Sequence, residues 1–378
     1  MQNRSKLIVA AALSVGFMGP VFAAQADNIK LYGVVDTGVY VHHASNGTTV
    51  VDMASGITKG SRWGLEGKED LGSRYGVFFR LEQGFELDSG AAKSEGSQFY
   101  RDSYIGLSTP IGQINAGRTG ALASGNNGGI VGSLSPFGIT WKEAALTKVF
   151  AGCIGSRLNN MVRFESKEFS GAKLFAQYSN GVDEDDVPSS QRDRYLAFGA
   201  NYQYGGLRLL FVFDNYFYND STKKTEAGAA AGKNLKNQRT YNLGGSYDFG
   251  TVRLYAGYQY GQNIKTPRVG DGKSMAAKYA AKTPGEAEGY DTHAVTLGTN
   301  IKLWGGELKG TLGFAHADRD YQDAKSKVYQ AAIGYKYPLS KRTYAYGAVA
   351  YLNAKSGISG KRERVETRSA LAGLCHSF

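Results

Sequence analysis

The sequence predicts an all-β protein, a single 16-stranded antiparallel β-barrel that crosses a membrane, and three observations lead there. The chain opens with an export leader. Its body alternates polar and apolar residues with a period of two. Its connections alternate between tight turns and long polar loops.

The leader comes first. Arg4 and Lys6 precede the apolar run from Leu7 to Phe17, which is followed by Gly19, Pro20 and the small-residue string Ala23-Ala24-Gln25-Ala26. About a dozen apolar residues cannot span a hydrocarbon core of about 30 Å, so residues 1–26 are read as a signal peptide, cut between 23 and 27. Residues 27–378 are then one barrel.

The strands follow. From Lys30 the odd positions Leu31, Gly33, Val35, Thr37, Val39 and Val41 oppose Tyr32, Val34, Asp36, Gly38, Tyr40 and His42, and successive strand residues point to opposite faces. Trp63 and Leu65 oppose Arg62, Glu66 and Lys68; Tyr75, Val77, Phe79 and Leu81 oppose Arg74, Phe78, Arg80 and Glu82. The same pattern recurs with Leu174, Ala176 and Tyr178 against Lys173 and Gln177, with Leu196, Phe198 and Ala200 against Tyr195, Asn201 and Gln203, and with Leu254, Ala256 and Tyr258 against Arg253 and Gln259. Alternation alone also fits a soluble sandwich. Aromatic pairs at strand ends, Phe99-Tyr100, Tyr202 with Tyr204, Tyr216 with Tyr218, Tyr258 with Tyr260 and Tyr335 with Tyr337, favour a membrane, where such rings form interfacial girdles.

The connections give the count. Tight turns are expected at 71–73, 109–112, 167–170, 205–206, 248–250, 304–306 and 338–341, rich in Gly, Pro and Ser. Longer links fall at 44–57, 87–97, 119–155, 181–191, 219–237, 262–289, 318–326 and 355–366. Seven turns and eight loops join sixteen strands, an even number that leaves both termini on the turn side and lets the first strand pair with the last.

Composition narrows the function. The mean hydropathy is negative and no apolar run after residue 26 is long enough for a transmembrane helix. A net charge of +11 suits an anionic solute or surface, and the leader argues against nucleic acid. Cys153 and Cys375 give neither a disulfide framework nor a zinc spacing, so no metal or cofactor is expected. The histidines His42, His43, His293, His316 and His376 belong to no recognised catalytic motif. Asp183-Glu184-Asp185-Asp186 reads as a solvated acidic run.

Several segments carry a resemblance: Leu31-Tyr32-Gly33, the stretch from Ser61 to Gly72, Leu81-Glu82-Gln83-Gly84-Phe85, Tyr104 to Leu107, Ala116-Gly117-Arg118, Asn159 to Phe164 and the terminal Phe378. Together they resemble the general-diffusion porins of β-proteobacteria, the Neisserial and Bordetella-type Gram-negative porins, across essentially the whole mature chain. The resemblance implies a homotrimer in the bacterial outer membrane, each barrel narrowed by its third loop, with constriction arginines at Arg62, Arg101 and Arg157. It also implies contact with outer-membrane lipid and lipopolysaccharide, and recognition of Phe378 by the barrel-assembly machinery. Where similar porins commonly carry Arg, this chain has Cys375.

The loop at 119–155 fits an inward path: it is rich in Gly, Ser and Asn, and Glu143 is its one acid beside Arg118, Lys142 and Lys148. Glu143 is expected to face the three arginines, with Asp36 beside them and Arg80, Glu82, Arg163 and Glu165 further along the pore. Cations prevail over acids on the inward parity, so the expected function is passive diffusion of small hydrophilic solutes with a preference for anions. A solute-specific anion channel and an outer-membrane barrel enzyme are the alternatives.

Overall fold

The computed structural model describes residues 29–45, 47–182, 188, 192–218, 236–264, 289–319, 324–358 and 361–378. The leader and the acidic run at 183–186 lie outside them. Seventeen strand segments form one closed antiparallel sheet: β1 (Lys30–Ala44), β2 (Thr49–Ser55), β3 (Arg62–Gly72), β4 (Tyr75–Gly84), β5 (Ser103–Thr109), β6 (Gly112–Gly120), β7 (Arg157–Ser166), β8 (Ala172–Ser179), β9 (Arg194–Tyr204), β10 (Leu207–Phe217), β11 (Gln238–Asp248), β12 (Val252–Ile264), β13 (Tyr290–Leu303), β14 (Gly306–Arg319), β15 (Ala324–Pro338), β16 (Thr343–Ile358) and β17 (Lys361–Ser377). The sheet closes where β1 pairs with β17, from Val34 opposite Ser377 to Ala44 opposite Thr367. Gly33 and Phe378 exchange both backbone hydrogen bonds at 3.1 Å, pinning the terminal aromatic into the seam.

Seventeen segments make sixteen staves because β2 and β3 are one stave, interrupted. The upper part of β1 pairs with β2 and the lower part with β3. Between them residues 56–61 buckle into the lumen, starting at Gly56, whose φ of +66° suits a residue without Cβ. This corrects the expected first loop: most of 49–57 is strand, and the loop proper is confined to 45–48. The last loop is also shorter than its polar composition suggested, since β16 runs to Ile358 and β17 starts at Lys361. Antiparallel backbone pairing satisfies polar strands as well as apolar ones, so composition alone overstates loop length.

Outward positions carry exposed apolar side chains, among them Leu31, Ile105, Leu174, Leu243, Leu297 and Leu312. So much exposed apolar surface is a liability in water and the required lining in a bilayer. Tyr202, Tyr204, Tyr258 and Tyr337 face outward near stave ends, as expected for a girdle. Tyr216 does not: on β10 the outward parity is Leu209 and Phe211, so Tyr216 turns inward and packs against the core.

That core lies inside the barrel and is built by the long connection from β6 to β7, here called L3. Its Leu122, Leu134, Leu146, Phe150 and Ile154 are fully buried, packed with Tyr195, Leu210 and Val212 of the wall. A run of inward glycines lets it approach: a Cβ on Gly298 would sit 2.5 Å from Pro136 Cδ, one on Gly313 2.5 Å from Val149, and one on Gly257 3.1 Å from Leu134.

Candidate pore constriction

The wall from β3 to β8, against which L3 packs only at β7 and β8, is lined by cations. Arg62 opens β3 directly after the interruption, and its Nη1 donates to the Gly60 carbonyl at 2.8 Å. On the neighbouring stave Glu82 is 3% exposed. Its carboxylate accepts from Arg101 Nε at 2.5 Å and from the Tyr32 hydroxyl at 3.1 Å, and lies 3.0 Å from Arg62 Nε and 4.0 Å from Arg157 Nη2. Arg157 Nε also donates to Asp102 Oδ1 at 3.1 Å, and the other Asp102 oxygen accepts from Asn127 of L3 at 2.9 Å. Three guanidiniums therefore share two buried carboxylates. Arginine suits this role because its planar fork reaches two acceptors and stays charged at any working pH.

The cationic lining continues on both sides. Arg118 Nη1 donates to Asn159 Oδ1 at 2.5 Å. Arg80 pairs with Glu66 at 2.6 Å and covers the Tyr32 ring. Glu165 is held between Arg163 at 2.7 Å and Lys173 at 3.1 Å, while Arg163 Nε donates to the Gly128 carbonyl of L3. Along this wall Arg62, Arg80, Arg101, Arg118, Arg157, Arg163 and Lys173 outnumber Glu66, Glu82, Asp102 and Glu165, so each carboxylate is spoken for and the balance is positive.

The structure thus brings together Arg62, Arg101, Arg157 and Glu82, and sets Arg80, Arg163 and Glu165 along the same wall. Asp36 and Glu143 lie elsewhere. Asp36 Oδ2 accepts from the Thr58 and Lys59 backbone N–H groups at 2.8 and 2.7 Å and from the Thr58 hydroxyl at 2.5 Å, and Oδ1 accepts from Tyr346 at 2.5 Å. It anchors the interrupted stave. Glu143 does not face the arginines, because L3 has crossed the lumen before reaching it. It accepts a 2.6 Å hydrogen bond from Tyr40, lies 3.4 Å from Lys148 and 3.9 Å from His42, and its carbonyl accepts from Gln330 at 2.6 Å. Burial alone would raise the Glu143 carboxyl, but Lys148, the Tyr40 hydroxyl and His42 outweigh it and hold it below the usual carboxylate range. Next to this anchor Trp141 adopts a φ of +61°, unusual for a bulky residue. The Ile57 carbonyl accepting its N–H at 2.6 Å, and packing against Phe137 and Tyr346 at 5.3 and 5.4 Å, hold it there.

Asp102 escaped the sequence reading. Phe99 sits at a φ of +45°, which breaks the alternation before β5, so inward parity cannot be carried through to residue 102. The signal available was an acid adjoining an expected pore arginine. Neither thiol is in a disulfide and both are buried, Cys153 in the L3 core and Cys375 opposite Asp36 on the seam.

The chain is similar to known outer-membrane proteins along most of its length. The sequence family described as Gram-negative porin matches residues 9–357. An outer membrane porin protein of Bordetella pertussis is 30% identical, covering 91% of this chain and 94% of that protein. Outer membrane porin protein 32 of Delftia acidovorans is 27% identical over 88% of this chain and 86% of its own. Among solved structures, an anion-selective porin from Comamonas acidovorans has a TM-score of 0.68 at 23% identity, covering 93% of this chain and 99% of that one. The trimer form of OmpT from Vibrio cholerae has a TM-score of 0.61 at 12% identity, over 93% and 99%.

Proposed function

Because the chain belongs to the Gram-negative porin family, and is therefore an outer-membrane porin that passes small hydrophilic solutes by diffusion, we propose that its pore prefers anions and that Arg62, Arg101 and Arg157 set the preference. The observation that carries this reading is the excess of cations over carboxylates along the wall from β3 to β8. In a narrow aqueous neck between low-dielectric walls such charge acts over about a Debye length, about 10 Å at 0.1 M salt, and raises the local anion concentration. The Comamonas acidovorans porin, itself described as anion-selective, agrees with it.

We read the assembly as a homotrimer, in keeping with the trimer form in which the Vibrio cholerae protein is described. Residues 1–26 serve as the leader, and the terminal Phe378, held in the seam, serves the barrel-assembly machinery.

Reversal potentials across planar bilayers in a KCl gradient test the preference. The parent should pass chloride over potassium, and Arg62→Glu, which sets a second carboxylate beside Glu82, should lower or invert that ratio, more in 0.1 M than in 1 M salt. A cation-preferring parent, or selectivity unmoved by substitution of all three arginines, would refute the proposal.

A further inference from the structure

Beneath L3, on the side of the tight turns, the packed half of the barrel holds a cluster of cations that the constriction does not use. Arg208 stands beside outward Leu209, Arg253 beside outward Leu254, and Lys302 on the parity opposite outward Leu297, so all three point into the lumen. Each lies within two positions of a stave end at a turn: β10 begins at Leu207, β12 at Val252, and β13 ends at Leu303. They face one cavity of about 520 Å³, which Ser133 and Ser135 line from L3 and Ser246, Asp248 and Tyr255 line from the wall. L3 is fixed at that height by Leu134, seated against Gly244 and Gly257, and by the Pro136 carbonyl, which accepts from Lys309 Nζ at 3.1 Å.

Charge in the cavity is unbalanced in one direction. Asp248 pairs with Arg253 and accepts from the Gly250 N–H at 2.8 Å, while among the described residues neither Arg208 nor Lys302 has a carboxylate partner. Three cations against one carboxylate leave two positive charges. Hydroxyls supply further donors: Tyr255 accepts from Asn300 Nδ2 at 3.1 Å and keeps its own proton to donate, and Ser246 stands in register between Tyr255 on β12 and Arg208 on β10. Arg208 and Lys302 are three staves apart, about 14 Å between backbones at about 4.8 Å per stave. Their long stems reach inward across that gap toward Arg253, which stands between them.

We propose that this cavity is a binding site for a small phosphomonoester, its phosphate held by Arg208, Arg253 and Lys302. Such a group carries about −1.5 to −2 charges near neutral pH and three acceptor oxygens. It therefore meets the two uncompensated charges and the hydroxyls of Ser246 and Tyr255 within one group, where a dicarboxylate spreads the same charge over two ends. Guanidiniums grip it with two parallel donors. The cavity falls within the size of small-molecule sites, about 300–1,000 Å³, and so has room for the organic part of the ester, which bare phosphate lacks. The anion preference of the neck enters only as the means of delivery, since the binding residues lie on β10 to β13 and not on the wall of Arg62, Arg101 and Arg157.

Isothermal titration calorimetry on the purified, folded porin in detergent tests this with three probes: glycerol 3-phosphate, inorganic phosphate and succinate. The parent should bind glycerol 3-phosphate most tightly. Arg208→Gln with Lys302→Gln should weaken it about tenfold or more, because hydrogen bonds from charged donors are lost, while Lys302→Arg retains it. Lys336→Gln removes an inward cation two staves from Lys302, held 4.5 Å over the Tyr344 ring and outside the cavity, and in about 0.1 M salt should leave the affinity within about twofold. Arg62→Glu, the variant that tests the anion preference, should also leave this binding in place, so either reading can fail without the other. No saturable binding by the parent, equal affinity for succinate or inorganic phosphate, or equal loss in Lys336→Gln and the double variant would overturn the proposal. So would loss of binding in Arg62→Glu, which would move the ester to the constriction.

Discussion

The two halves of the barrel interior solve different problems with the same kinds of residue. From β3 to β8 the wall is charged, and carboxylates such as Glu82 collect guanidiniums. From β9 around to β1 much of the wall is packed against L3; there Asp36 is bound by hydroxyls and backbone amides, and Glu143 of L3 by the Tyr40 hydroxyl together with Lys148 and His42. An inward acid is thus part of the conducting field in one half and a structural anchor in the other. Guanidiniums meet the acids in the first half, and among the described residues none reaches Asp36 or Glu143 in the second.

The largest effect should come from breaking the charged half at its centre. Glu82→Gln leaves Arg62, Arg101 and Arg157 to share Asp102, and removing one member of a buried ionic cluster costs about 3–5 kcal/mol. The variant should lose its folded, heat-modifiable gel mobility at a lower temperature. In the surviving barrels chloride preference should rise, read from reversal potentials at low salt. Unchanged melting would mean that the arginines do not depend on Glu82.

Breaking the packed half should change conductance more than selectivity. Gly298→Val drives a side chain into Pro136, and overpacking costs about 1–3 kcal/mol. L3 should move off the wall toward the lumen and lower the single-channel conductance. Shortening the buried stretch of L3 between residues 131 and 149 should raise it. If both variants conduct like the parent, L3 does not set the pore width.

Asp36→Asn weakens the anchor of the interrupted stave. The amide cannot accept from all four donors, and leaving buried partners unmet costs about 1–3 kcal/mol. Melting should fall while the chloride-to-potassium ratio holds; a shifted ratio would place Asp36 in the conducting field after all.

The smallest effect concerns Glu143. Its carboxyl is held below the unfolded value of about 4.3, so its contribution is fully present above that value and fades as pH falls through the lower folded value. Acidification should leave the barrel unchanged down to the ordinary carboxylate range and loosen L3 only below it, seen as added current noise. Tyr40→Phe removes one of the groups that hold the carboxyl down and should move that onset to higher pH.

What the sequence determined by itself was the frame. Stave parity is a local property of the pleat, so inward Arg62, Arg80 and Glu82 and outward Leu174 and Leu254 could be read from alternation, and the alternation of turns and loops gave sixteen staves. The inward path of L3 was legible from its small residues and scarcity of acids. The interruption of the second stave was not, since Gly56 to Ser61 reads as ordinary loop chemistry, nor was the glycine run that seats L3, since a glycine on a strand carries no mark of what approaches it. Tertiary structure alone decided which charges meet. Glu143 reaches Tyr40 across 103 positions and Asp36 reaches Tyr346 across 310, and such partners follow from where L3 turns back and from closure of the barrel. Parity says which way a side chain points, but only the closed ring says what stands opposite it.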